Sequence, residues 1–156
     1  MSRKLYFDID GTILFLSTPC AKPALAGGMF GRAVRAAGFD ELVCIGNFSG
    51  VALAAKARIA DYDSLGATYD VCYGVFDDEP WFRAHTRLIR DPARRAAEID
   101  LSDDWWYIDD LAEMYFAHAG RADVYREHLG GRILVPTPEG DGEDVLAWIR
   151  AIARKR

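Results

Sequence analysis

The stretch Leu5-Tyr6-Phe7-Asp8-Ile9-Asp10-Gly11-Thr12-Ile13-Leu14 decides the reading of this chain. An apolar, strand-like run ends in two carboxylates two residues apart, and a glycine and a threonine follow at once. Buried charge is costly unless a metal ion or a partner compensates it. A strand that delivers two acids to one end is therefore expected to be built around a cation and something the cation binds.

The rest of the chain alternates short apolar β-type runs with amphipathic helical ones. After the first strand, Leu5–Ile9, comes a Pro-, Ala- and Gly-rich loop over Ser17–Gly28, then a helix over Met29–Ala37 closed by Gly38. Leu42–Phe48 reads as a second strand, Val51–Ala60 as an Ala-rich helix and Val71–Phe76 as a third strand. Pro80 suits the first turn of a helix with Trp81, Phe82, His85, Leu88 and Ile89 on one face. Asp91-Pro92 has the form of an N-cap followed by proline at the first helical position, starting a helix that runs to about Ile99. Trp105–Ile108 is the fourth strand, Leu111–Ala119 and Val124–Leu129 are short helices, and Ile133–Val135 is the fifth strand. The last helix, Val145–Ala153, carries Val145, Trp148, Ile149 and Ile152 as its buried stripe.

Five such alternations predict an α/β fold: a five-stranded parallel sheet with helices on both faces, three layers in a Rossmann-like arrangement. The strands are nearly continuous apolar runs, as sheets covered on both faces require. The 156 residues suit one domain, spanning residues 1–156, with a core of its own.

Composition narrows the function classes. With 51% hydrophobic and 28% charged residues the balance is that of a soluble globular protein. A net charge of −5 argues against general nucleic-acid binding, and the basic cluster Arg150, Arg154, Lys155 and Arg156 reads as complementing a helix C-terminus. Cys20, Cys44 and Cys72 are odd in number and widely spaced, which matches neither a disulfide framework nor a zinc signature. No stretch resembles a signal peptide or a membrane span, so a reducing, cytoplasmic setting is expected.

Ligands of open parallel sheets bind beyond the carboxyl ends of the strands. The residues there are Asp8 and Asp10, then Asn47, Ser49 and Gly50, then Asp77 and Asp78, then Asp109 and Asp110, then Thr137 and Glu139. Acid pairs from strands one and four, with a hydroxyl from strand two, suit Mg²⁺, which takes oxygen ligands and shares its shell with water and phosphate. With the cation present, one carboxylate can act as a nucleophile toward phosphorus. Each residue also has a plainer reading. Asp-Gly is a common turn pair, Asp109-Asp110 can cap the next helix, and Ser49 can cap the helix from Val51. His85, His118 and His128 share no ligand pattern, and the four tryptophans read as packing residues.

These motifs resemble the haloacid dehalogenase-like phosphohydrolase superfamily. Its first motif, an apolar strand followed by Asp-x-Asp-Gly-Thr, is matched in full by Leu5 to Thr12. Its fourth, an apolar strand ending in paired acids, is matched by Trp105-Trp-Tyr-Ile-Asp109-Asp110, and Ser49 meets the second. For the third, a basic residue ahead of the fourth strand, Arg90, Arg94 and Arg95 are available, with Arg94 first by spacing. The resemblance implies a Mg²⁺-dependent phosphatase. Asp8 would form an aspartyl-phosphate, and Asp10 would protonate the leaving group and then activate water. It also implies Mg²⁺ on the Asp8 carboxylate, the Asp10 carbonyl, and Asp109 or Asp110, with the phosphoryl group held by Ser49, the amides near Gly11 and Gly50, and Arg94.

Only about 30 residues separate strand one from strand two and strand three from strand four, so the chain reads as capless, with a short flap at about residues 15–28. An open site suits a phosphorylated small molecule or macromolecule, or shielding by a second copy. Phosphotransfer through the same intermediate and a non-catalytic binding module are the competing readings. A response-regulator receiver is disfavoured, because strand five is followed by Pro136-Thr-Pro138 with no lysine.

Overall fold

Leu5 and Phe7 point to one side of the first strand and Tyr6 to the other, and all three are buried. That pattern requires a cover on both faces. The computed structural model describes residues 1–17, 20–46, 81, 85–89 and 91–155. Five parallel strands, β1 (Arg3–Phe7), β2 (Glu41–Cys44), β3 (Thr86–Leu88), β4 (Asp104–Ile108) and β5 (Ile133–Leu134), form one sheet in the order β3-β2-β1-β4-β5. Leu5 is level with Leu42 on one side and Trp106 on the other.

One face, carrying Leu5, Phe7, Leu42, Cys44, Trp106 and Ile108, packs against two helices, α1 (Met29–Ala36) and α4 (Glu143–Ala153). The other, carrying Tyr6, Val43, Trp105 and Tyr107, packs against Ala96 and Ile99, and against α2 (Ala112–His118) with its buried Phe116. A further helix, α3 (Ala122–His128), lies outside α2, its Val124 and Tyr125 against this second core. The result is the three-layer, Rossmann-like α/β arrangement expected from the strand pattern. No cap domain occurs among the described residues, and no helix there is long and apolar enough to cross a membrane.

The helix ends follow ordinary electrostatics. Glu143 and Asp144 occupy the first turn of α4 and Arg150 its last, each complementing the helix dipole. Trp148, on the expected buried stripe, is only partly covered. It meets Trp106 edge-on at 5.8 Å and donates Nε1–H to the Gly131 carbonyl at 2.9 Å. Cys44 is a buried free thiol, pushed up to about 12 by burial, whereas Cys20 is exposed.

The third strand differs from the sequence reading. Thr86–Leu88, expected within a helix starting at Pro80, pairs instead with β2, Leu42 opposite Thr86 and Cys44 opposite Leu88. The outer edge of β2 needs backbone partners, and Thr86–Leu88 supplies them, supported by the Arg87–Glu41 ion pair. Trp81 and His85 do lie in helical conformation, with their rings stacked 4.4 Å apart. The expected strand Val71–Phe76, the helix Val51–Ala60, Cys72 and Asp77-Asp78 lie outside the described residues. The helix expected after Asp91-Pro92 is a 3-10 helix, Pro92–Glu98, with the Asp91 side chain accepting from Ala93 N–H at 3.0 Å.

From β1 the chain moves outward to β2 and β3 and then returns to the opposite side of β1 as β4. The strand order therefore reverses between β1 and β4, which opens a crevice at their carboxyl ends. Phe116 fixes the far side of β4, its ring 4.9 Å from that of Tyr107. Phe116→Ala is expected to cost about 3–5 kcal/mol, seen as a lower urea midpoint at unchanged m.

Candidate active site at the sheet switch point

The residues that follow β1 fold back tightly. Thr12, Ile13 and Leu14 N–H groups all converge on the Ile9 carbonyl, at 3.1, 2.9 and 3.0 Å. Gly11 makes this turn with φ +74, where a side chain would be strained, and a Cβ there would sit 2.5 Å from Asp110 Oδ2. Thr12 completes the joint. Its hydroxyl accepts from Asp110 N–H at 3.2 Å and lies 3.5 Å from Asp8 Oδ2. The Asp-Gly-Thr sequence is thus a device for packing the β1 turn directly against the residue after β4.

Asp8 continues the sheet ladder by one residue, its N–H donating to the Ile108 carbonyl at 3.0 Å, and is 4% exposed. Gly46, after β2, leaves room for its carboxylate; a Cβ at Gly46 would overlap Asp8 Oδ1. Burial pushes the Asp8 carboxyl well above the usual range, with the Asp109 charge adding to the shift and Arg95 opposing it. Asp10 is partly buried, and burial raises its carboxyl too. Asp110 is raised by burial and by the Asp109 charge.

Asp109 is held differently. Its Oδ2 accepts from Arg95 at 2.9 Å and from Tyr107 Oη–H at 3.0 Å, and its Oδ1 accepts from Leu111 N–H at 2.8 Å. The last contact makes it a cap on the backbone ahead of α2, while the first two bind it into the core. Arg95 is 2% exposed and also lies 3.3 Å from Asp8 Oδ1. The Tyr115 ring stacks beneath its guanidinium, centroid at 3.7 Å, and the Tyr115 hydroxyl accepts from its other nitrogen at 2.8 Å.

The structure brings together Asp8, Asp109 and Asp110, each offering an oxygen within 4.8 Å of the others. Gly11 and Asp10 border them along the β1 turn. Arg95, not Arg94, faces these acids; Arg94 is exposed. Ser49 and Gly50 lie outside the described residues. Sequence reasoning passed over Gly46, Tyr107, Tyr115 and Lys22. The adjacent pair Arg94-Arg95 was a visible signal, but only the winding of the 3-10 helix turns one of the two inward.

As a donor set the site fits a hard divalent cation. The clustered donors are carboxylate oxygens, and burial raises Asp8 and Asp110, a shift that a positive charge between them would oppose.

Two substitutions separate the acids. Asp109→Ala leaves Arg95 buried without its closest carboxylate and is expected to destabilise by about 3–5 kcal/mol in urea unfolding. Asp110→Asn removes crowded charge and should stabilise the metal-free protein by about 0.5–2 kcal/mol at neutral pH. The sign follows from linkage. A carboxyl raised by folding binds its proton more tightly in the native state, so its ionisation lowers stability as pH rises above the ordinary carboxylate range. The gain from Asp110→Asn should therefore vanish in strong acid and grow toward neutral pH, as read by paired melting curves.

Compared with known proteins, the chain matches no family model, no curated protein and no solved structure. Its functional reading rests on these side chains and their placement.

Proposed function

We propose that the chain is a Mg²⁺-dependent phosphatase of the haloacid dehalogenase-like type, hydrolysing phosphomonoesters through an aspartyl-phosphate on Asp8. The observation that carries this reading is the meeting of Asp8, Asp109 and Asp110 at the switch point, with Arg95 buried against two of them. Asp8, Asp110 and the Asp10 carbonyl would hold Mg²⁺; when bound, it offsets negative charge between carboxylate and phosphate.

In the first step an Asp8 carboxylate oxygen attacks phosphorus, and the bond from phosphorus to the ester oxygen breaks. Asp10 gives its proton to that departing oxygen; burial shifts its carboxyl upward, the direction a general acid needs. In the second step Asp10 accepts a proton from water as the water attacks phosphorus. Phosphate leaves, and Asp8 is restored. Arg95 favours the ionised form of Asp8, its charge opposing the upward shift from burial and from Asp109. Asp109 aims that arginine.

The test is phosphate release from p-nitrophenyl phosphate with and without Mg²⁺. Wild-type protein should turn over only with the cation. Asp8→Asn should lose about 10⁴-fold or more in kcat, and Asp10→Asn about 10²–10⁴-fold. Absence of both turnover and Mg²⁺ binding in the wild-type protein would sink the reading. Transfer of the phosphoryl group to an added alcohol in preference to water would mark the phosphotransferase alternative.

A further inference from the structure

Lys22 is a fully buried lysine, 0% exposed, in a loop whose composition gives no reason to bury it. Lysine almost never buries completely unless it is paired. Its Nζ donates to the Gly11 carbonyl at 3.0 Å and to the Thr137 carbonyl at 2.7 Å. Burial lowers its pKa, while Asp144, Asp110, Glu139 and Asp141 act to keep it charged. The ammonium thus fills a place lined by two carbonyls and surrounded by acids, as a bound cation would.

Its position is set by the flap. Phe15 N–H donates to the Cys20 carbonyl at 3.0 Å and Lys22 N–H to the Ile13 carbonyl at 2.9 Å, which returns the chain beside the β1 turn. Ser17 is held at the other end by both oxygens of Glu139, at 2.8 and 2.9 Å. Beyond Lys22, a 3-10 turn (Pro23–Leu25) joins the loop before α4 through Ala24 N–H and the Asp141 carbonyl, at 3.0 Å. The flap is therefore docked on the post-β5 loop, and the Lys22 side chain reaches from it to the Asp10-Gly11 turn.

We propose that Lys22 is a positioning residue for the reaction: by holding the Gly11 carbonyl against the post-β5 loop, it fixes the turn that aims Asp10 and seats Asp110. The inference rests on the phosphatase reading above. Gly11 follows Asp10 directly, and its bare α-carbon abuts the Asp110 carboxylate. A shift of this peptide therefore moves the proton donor and one metal-binding acid together. Misplacement of a catalytic group by about 1 Å can cost roughly 100-fold in rate. Lys22 touches backbone carbonyls of the turn and of the post-β5 loop, so the effect is expected on kcat rather than on substrate affinity.

The test compares wild type, Asp8→Asn, Lys22→Met and Lys22→Gln at saturating Mg²⁺, with melting curves and the amide resonance of Gly11 recorded alongside. The expected result for folded Lys22→Met is a fall of roughly 10- to 100-fold in kcat with KM within about twofold, and a displaced Gly11 resonance. Lys22→Gln, which keeps a donor without the charge, should show the same direction and serves if the Met variant does not fold. Wild-type kcat in a folded Lys22 variant overturns the proposal and leaves the phosphatase reading standing. So does a kcat that returns to wild type once the assay is run well below the variant's melting range, and so does failure of both variants to fold, since each assigns Lys22 to stability alone. An inactive wild type, or an Asp8→Asn variant as active as wild type, removes the phosphatase reading and this proposal with it.

Discussion

Mutual repulsion among Asp8, Asp109 and Asp110, brought within 4.8 Å at the reversal point of the sheet, is the constraint the surrounding structure answers. An arrangement of this kind survives folding only if positive charge and donors are built around it. Arg95 supplies the charge, at 3.3 Å from Asp8 and 2.9 Å from Asp109, and Tyr107 and the Leu111 amide supply further donors. Among the described residues no buried side-chain polar atom is left without a partner. The cost of the site has been met by the scaffold wherever the scaffold can reach.

That compensation is unequal, and the inequality divides the acids by role. Asp109 has both oxygens engaged by the protein, so it organises Arg95 and the start of α2. Asp8 and Asp110 are raised by burial and neighbouring charge. They are the acids whose charge the protein compensates least. Two glycines preserve their freedom: Gly46 clears the space beside Asp8, and Gly11 the space beside Asp110. Lys22 plays the corresponding part from outside the sheet, holding the Gly11 carbonyl while Thr12 holds the Asp110 amide.

Much of this was legible in the chain because the physics is local. Continuous apolar runs in β1 and β4 announce strands covered on both faces, and Leu5, Tyr6, Trp105 and Trp106 are all buried accordingly. Asp8 and Asp109-Asp110 stand directly after their strands, so a parallel sheet alone places them at one end. Thr86–Leu88 was not legible. Its apolar spacing with Trp81 and His85 suits a helix, and only the unpaired edge of β2 draws it into the sheet. Arg95 was half legible: a basic residue ahead of β4 was expected, but Arg94 and Arg95 differ by one step of winding. Lys22 carried no local signal, since its partners are carbonyls 11 and 115 residues away.

Local pattern alone dictates the layers of the fold and the acids that follow β1 and β4, because hydrophobic runs and strand ends are properties of neighbouring residues. Tertiary structure settled which basic residue faces those acids, which of them the protein pairs most fully, and what holds the β1 turn in place. These depend on burial and on contacts between distant segments. A carboxylate satisfied by donors from three elements and one crowded against a like charge look identical in the chain, and differ only once the strands stand side by side.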